Sequence, residues 1–220
     1  MLKRYIYKRF LLDLFYPNRC GFCGENIPFD EYFCNHCGSR LSSAPTKHDV
    51  LYADEFYAAT AYDSYSRPII KSMKNNNDGY ALSAIAYFMY RMLKSADILE
   101  SIDIITYIPM GKKDMNRRGY NQTKLIAKEL TGITGVKNVS LLKKVRETKE
   151  QKTLGAADRR KNLNNAFEFK FREDIKGKTV LIIDDVCTTG STLSEAARIL
   201  KKAGAGKVIA AAFAKVVKKS

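Results

Sequence analysis

The sequence predicts an α/β protein, a mostly parallel sheet with helices on both faces, preceded by a small metal-binding module. Three observations carry this. Short uncharged apolar runs such as Val180–Ile183 alternate with stretches whose apolar residues recur at helical spacing, as in strands buried on both faces and joined by crossover helices. Four of the five cysteines fall in two C-x-x-C pairs ten residues apart. A chain of 220 residues suffices for one α/β domain with an appendage but not for two full domains.

At the N-terminus, Leu2, Ile6, Phe10 and Leu14 are spaced by four, with Lys3, Arg4, Lys8 and Arg9 between them. That is an apolar helix face opposite a basic one. It suits a helix docked on the domain or one lying at a membrane surface. Asp13 breaks the candidate apolar stretch, and no cleavage site follows, so a secretory signal is not expected. No uncharged apolar run approaches the roughly 18 residues of a membrane helix.

The pairs Cys20/Cys23 and Cys34/Cys37 come next, with Gly21, Gly24 and Gly38 permitting tight turns. Four thiolates close a tetrahedral shell, the preference of structural Zn2+; a redox dithiol and an iron–sulfur cluster are the alternatives. Metal-type spacing instead of a disulfide framework places the protein in a reducing cytoplasm. Ser42 to Thr46 reads as a linker. The expected division is therefore 1–45, helix and zinc module, and 46–220, the α/β domain.

Within that domain Phe56–Tyr62 has strand character. Pro68 opens a helix with Lys71 and Lys74 on one side, and Asn75–Gly79 forms a loop. Tyr80–Ala96 is an amphipathic helix, and Ile102–Ile108 a strand ended by Pro109. A basic loop follows, opening a helix at Asn121 that continues through 123–130. Thr179–Ile183 is a buried strand, Ser191–Lys202 a helix and Lys207–Phe213 a strand.

The formal charge is +15 with a pI near 9.6. This favours polyanionic partners such as nucleic acid, phosphorylated small molecules or an acidic membrane surface, or leaves a solvated basic face.

The most informative segment runs from Val180 to Leu193. A buried strand leads into Asp184 and Asp185, then into Thr188, Thr189, Gly190, Ser191 and Thr192 at a helix start. Gly190 lets the backbone approach an anion, and the N–H groups and hydroxyls around it can wrap a phosphate. The carboxylates cannot bind that phosphate. They suit the vicinal diol of a ribose or a metal-bound water. Together these describe a ribose 5-phosphate site at a strand's carboxyl end. The Gly-rich loops that an ATPase or a dinucleotide site needs elsewhere are absent. An acidic cap before a Thr-rich helix is the non-functional alternative.

This segment resembles the phosphoribosyl pyrophosphate (PRPP) motif of type I phosphoribosyltransferases. With the cysteine pairs, the whole chain resembles the ComF family of competence proteins, of the ComFC type. Ile108-Pro109-Met110 and Arg118-Gly119-Tyr120-Asn121-Gln122 are similar to the family's proline-ended strand and its R-G-[FY]-N-Q signature. Thr148, Gln151, Leu154, Arg159 and Asn162 fall on the family's spacing, and Lys143–Lys161 carries eight basic and three acidic residues. Met110 departs from the small or β-branched residue usual there, and Cys187 reads as a packed small residue.

The resemblance implies a type I phosphoribosyltransferase-like parallel sheet. It implies catalytic roles for Asp184, Asp185 and Arg146. PRPP would be bound by Thr188, Thr189, Gly190, Ser191, Thr192, Pro109, Met110 and Arg118, together with Mg2+. It further implies single-stranded DNA handling during natural transformation, with competence helicase or recombination proteins as partners. Basic loops at 112–118 and 143–152 would follow a nucleic-acid backbone while Tyr62, Tyr65 and Tyr120 stack on bases. Two other functions fit the same residues: an active nucleobase phosphoribosyltransferase and a PRPP-sensing regulator without chemistry.

Overall fold

The computed structural model describes residues 15, 17–40, 50–76, 78–146, 165–171 and 173–217. The expected N-terminal helix, the 42–46 linker and residues 147–161 of the basic segment lie outside them, apart from isolated positions of the first.

The elements follow the predicted alternation. A short helix α1 (Asn35–Ser39) belongs to the cysteine module. Then come β1 (Glu55–Ala61), α2 (Ser66–Asn76), α3 (Gly79–Ser95), β2 (Ile104–Tyr107), α4 (Lys112–Arg118), α5 (Gln122–Thr134), β3 (Lys137–Asn138), β4 (Leu142–Lys144), β5 (Phe167–Phe169), β6 (Thr179–Cys187), α6 (Ser191–Lys202) and β7 (Lys207–Lys215). Asp78 caps α3 by accepting from the N–H groups of Tyr80 and Ala81, and Asn121 caps α5 in the same way. The expected loop at Asn75–Gly79 is shorter, because α2 runs on to Asn76.

β1, β7, β6, β2 and β3 form one parallel sheet in that order. After β2 the chain winds outward to β3; after β6 it winds the opposite way to β7. The winding direction therefore reverses between β2 and β6, and the crevice at their carboxyl ends is the topological switch point where ligands bind in such sheets.

Alternation along the strands divides the core. Leu181, Ile183, Ile209 and Phe213 pack toward α3 and α5. Val180, Ile182, Val208 and Ala212 pack toward α6 and the β4–β5 pair. Alanines at 210, 211, 212 and 214 keep β7 thin, so helices on both faces approach closely, while Phe213 fills one side edge-on to Phe88 at 6.3 Å.

Three features differ from the sequence reading. Lys112–Arg118 is a helix where a loop was expected. An antiparallel pair, β4 and β5, covers one face; its three-residue strands are too short to leave a periodicity. And β6 extends four residues beyond Ile183, because β7 continues beside it to pair Asp184 with Ala212 and Cys187 with Lys215.

The cysteine module is packed onto α3. Tyr32 stacks on Tyr87 at 4.0 Å and Phe22 on Tyr65 at 5.7 Å. Gly21 is needed for close approach and not for a turn: a Cβ there would lie 2.5 Å from Ala84 Cβ and from the Tyr80 carbonyl oxygen.

Candidate functional site

The carboxyl ends of β2 and β6 are pinned together. Ile108 N–H donates to the Ile183 carbonyl at 3.0 Å, bringing Pro109 and Met110, both half-buried, alongside Asp184 and Asp185. The Ile108 carbonyl accepts from Asn121 Nδ2 at 3.1 Å and Thr123 Oγ1 at 2.8 Å, so the loop after β2 is held by the start of α5. Arg118 ends α4, where Gly119 takes a left-handed φ of 77°.

Asp184 and Asp185 lie inside β6, not past its end as the sequence suggested. Their environments push them apart. Asp185 is buried; its Oδ2 is 2.7 Å from Lys74 Nζ and accepts from Gln122 Nε2 at 2.8 Å. Burial alone would raise its pKa, but the Lys74 charge and hydrogen bond, helped by Gln122, hold it below the ordinary range. Among the described residues Asp184 has no such cation at bonding distance. Burial, then repulsion from Asp185, pushes it up to about 8. Its Oδ1 accepts from the Asp185 N–H at 2.8 Å. The pair thus presents one firm carboxylate and one group holding a proton near neutral pH.

Beyond β6 the chain turns through Thr188 and Thr189 to Gly190, whose φ of 76° makes it the left-handed cap of α6. Thr189 Oγ1 and Ser191 Oγ share a hydrogen bond of 2.8 Å. Thr188 is exposed, and Thr189 and Thr192 are half-buried. Backbone N–H groups at the start of this 12-residue helix are oriented for an anion. Lys215 Nζ donates to the Thr188 carbonyl at 3.1 Å and lies 3.8 Å from the buried Cys187 Sγ, so Cys187 is packed as expected.

The structure gathers Pro109, Met110, Asp184, Asp185 and the loop 188–192 at one crevice, with Arg118 close enough to Lys74 to repel it. Arg146 is an exposed residue just beyond β4, before the segment outside the described residues. The sequence places Lys74 with Lys71 on one side of a helix and gives it no part in the site. The signal was available: Ile70 and Met73 are core residues, and Lys74, four after Ile70, shares their face of α2. Gln122 was noted only as part of a motif; its Oε1 is a buried acceptor without a hydrogen-bond partner among the described residues.

At the second centre, the Sγ atoms of Cys20, Cys23, Cys34 and Cys37 all lie within 4.8 Å of one another. Zn–S bonds of about 2.3 Å imply tetrahedral edges of about 3.8 Å, and Cys23 and Cys34 are 3.8 Å apart. Asn18 donates from Nδ2 to the carbonyls of Pro28 at 2.7 Å and Glu31 at 2.8 Å, bracing the turn between the pairs. Backbone N–H donors outweigh burial at Cys20 and lower its pKa to about 7, whereas burial pushes Cys37 up to about 12. The donor set fits structural zinc.

Residues 116–219 match the model of the phosphoribosyl transferase domain, and residues 11–48 that of the double zinc ribbon domain. The chain is similar to Competence protein F of Haemophilus influenzae, 29% identical over 194 residues, 86% of this chain and 81% of that protein. The chain thus resembles the ComF family of competence proteins over most of its length. It is also similar to the DNA utilization protein YhgH of Escherichia coli K12, 26% identical over 198 residues and 86% of each chain. Ribose-phosphate pyrophosphokinase of a Marinomonas species is 31% identical over 115 residues, 50% of this chain and 33% of that one.

In this chain the aromatics expected to stack on bases are partly engaged. Tyr65 has Phe22 stacked on it and Arg40 5.6 Å from its ring centre, and its hydroxyl donates to the Cys37 carbonyl at 3.2 Å. The Tyr120 hydroxyl donates to the Met73 carbonyl, tying the start of α5 to the end of α2. Among the described residues no helix is long and apolar enough to cross a membrane.

Proposed function

We propose that this chain is a competence-associated protein of phosphoribosyltransferase fold that binds PRPP, with Mg2+, between β2 and β6, and that it handles single-stranded DNA in the cytoplasm during natural transformation. The observation that carries this reading is the joining, on one strand end at the switch point, of an acidic pair to a Gly190-centred anion loop. The loop 188–192 and the start of α6 take the 5-phosphate. Asp185 and Asp184 accept from the ribose hydroxyls. Arg118 and the Pro109–Met110 backbone face the pyrophosphate, and Arg146 approaches from β4. Mg2+, when bound, spreads the pyrophosphate charge; Asp184 and Asp185 are the carboxylates placed to hold it, and the buried unpartnered Gln122 Oε1 beside them suits a donor such as a metal-bound water.

A polyanionic strand fits the +15 charge and the exposed face of α4 with Lys112, Lys113 and Arg117. The names of the relatives, one for competence and one for DNA utilization, point the same way, and helicase or recombination proteins are the partners such handling calls for. Calorimetric titration of PRPP with Mg2+ tests the site: binding lost in Asp184→Asn/Asp185→Asn supports it, and unchanged affinity in the folded double variant places the site elsewhere. Adding each common nucleobase separates binding from transfer, because only an active transferase releases pyrophosphate.

A further inference from the structure

The Lys74–Asp185 pair sits inside the proposed site and not beside it. Lys74 Nζ is 2.7 Å from the carboxylate oxygen that also receives Gln122. The Lys74 side chain is 24% exposed and that of Asp185 8%, so the carboxylate is enclosed while the lysine stem reaches the crevice. Asp184 also attracts this ammonium, and the Arg118 guanidinium repels it. The backbone beneath it is anchored, since the carbonyl of the preceding residue, Met73, accepts from Tyr120. What can move is the four-carbon stem, which carries a compact point charge with rotatable donors.

We propose that Lys74 is a resident counter-cation of the acidic pair, which keeps free divalent metal out of the site and transfers to the pyrophosphate when metal and ligand arrive together. The inference rests on the PRPP-site reading above. With Lys74 in place Asp185 is neutralised, so a bare divalent cation meets little net negative charge and must displace an ammonium. A magnesium–pyrophosphate complex carries its own excess of negative charge. It offers Lys74 a second anion beside Arg118, and so frees Asp185 for ribose hydroxyls or metal-bound water. Lys74 thereby couples metal entry to ligand entry.

The test compares Mn2+ alone with magnesium pyrophosphate on the full chain, in native protein, Lys74→Met, Lys74→Gln and Lys74→Arg. Manganese is followed by its electron spin resonance and pyrophosphate by calorimetry. Removing the charge is expected to tighten Mn2+ binding by about tenfold and to weaken magnesium pyrophosphate by a similar factor, on the scale of one close charge in a partly solvated site. Lys74→Arg, which keeps the charge, should leave Mn2+ excluded. A merely structural lysine would move both affinities the same way. Both weakened in Met and Gln variants that still melt cooperatively, or Mn2+ binding unchanged, overturns the role of Lys74 while leaving the site intact. Native protein that binds no magnesium pyrophosphate overturns the site reading and this inference with it.

Discussion

Replacing Asp184 by Asn is expected to stabilise the ligand-free protein, with a pH dependence set by the carboxyl it removes. Asp184 rises from an ordinary 3.8 to about 8 in the fold. The folded state therefore keeps a proton that the unfolded chain releases above about pH 4. The stability this group contributes is fully present below the unfolded value and is lost progressively as pH rises toward 8. A tenfold difference in proton affinity corresponds to about 1.4 kcal/mol, so the native chain at pH 7 gives up on the order of 4 kcal/mol. Partial exposure of the side chain lowers this to roughly 2–4 kcal/mol. Asn keeps the acceptor for the Asp185 N–H and removes the penalty. A domain of this size shifts by about 2–4 °C per kcal/mol, which gives a rise in Tm of roughly 5–10 °C at pH 7 and almost none at pH 3.5. Scanning calorimetry of both proteins from pH 3.5 to 8.5 measures it. A Tm difference that does not change with pH would refute the reasoning, since it would show that Asp184 titrates normally.

The neighbouring carboxylate behaves oppositely. Asp185→Asn strands the Lys74 ammonium, and breaking a buried pair costs about 3–5 kcal/mol; the partial exposure of Lys74 places the loss near the lower figure. The native pair's contribution should fade as pH drops through the depressed pKa of Asp185, so a pH-independent deficit in this variant would count against the ion pair. About one zinc per chain is expected on Cys20, Cys23, Cys34 and Cys37, read by elemental analysis, with iron or no metal as the contrary result. Because Tyr32 is buried in the same core as α3, chelation should also lower the melting temperature of the larger domain; a domain transition unmoved by chelation would show that the packed aromatics contribute nothing. Gly190→Ala places a side chain at a φ of 76° and should cost about 1 kcal/mol while weakening ribose 5-phosphate more than pyrophosphate; equal loss of both would remove the loop's special role. Single-stranded DNA affinity should fall linearly in log K against log salt, and Lys112→Glu/Lys113→Glu should flatten the slope. An unaltered slope would take α4 out of the interface. Lys143, bound to Glu168 at 2.7 Å, should matter less than Lys112.

The strand–Asp–Asp–Thr–Thr–Gly run, the two C-x-x-C pairs, the parallel α/β class and the helix start at Asn121 were legible in the sequence. Each is a local signal, a short apolar run, a fixed spacing or a residue whose backbone preference acts within one turn. The strand limits were not legible, because β6 continues through Asp184 to Cys187 only where β7 lies beside it to pair, and hydrogen bonds to a distant strand leave no mark on local propensity. The same holds for β4 and β5, each too short to show a period. The basic stretch before Arg118 lacked an apolar periodicity, yet α4 forms there, closed by Gly119. The electrostatics of the site were also decided in three dimensions. The two adjacent aspartates look equivalent in the chain, and only the arrival of Lys74 from α2 and Gln122 from α5 at one of them separates their proton affinities. Charge interaction depends on distance and burial, and residues 74, 122 and 185 become neighbours only when the sheet and its helices pack.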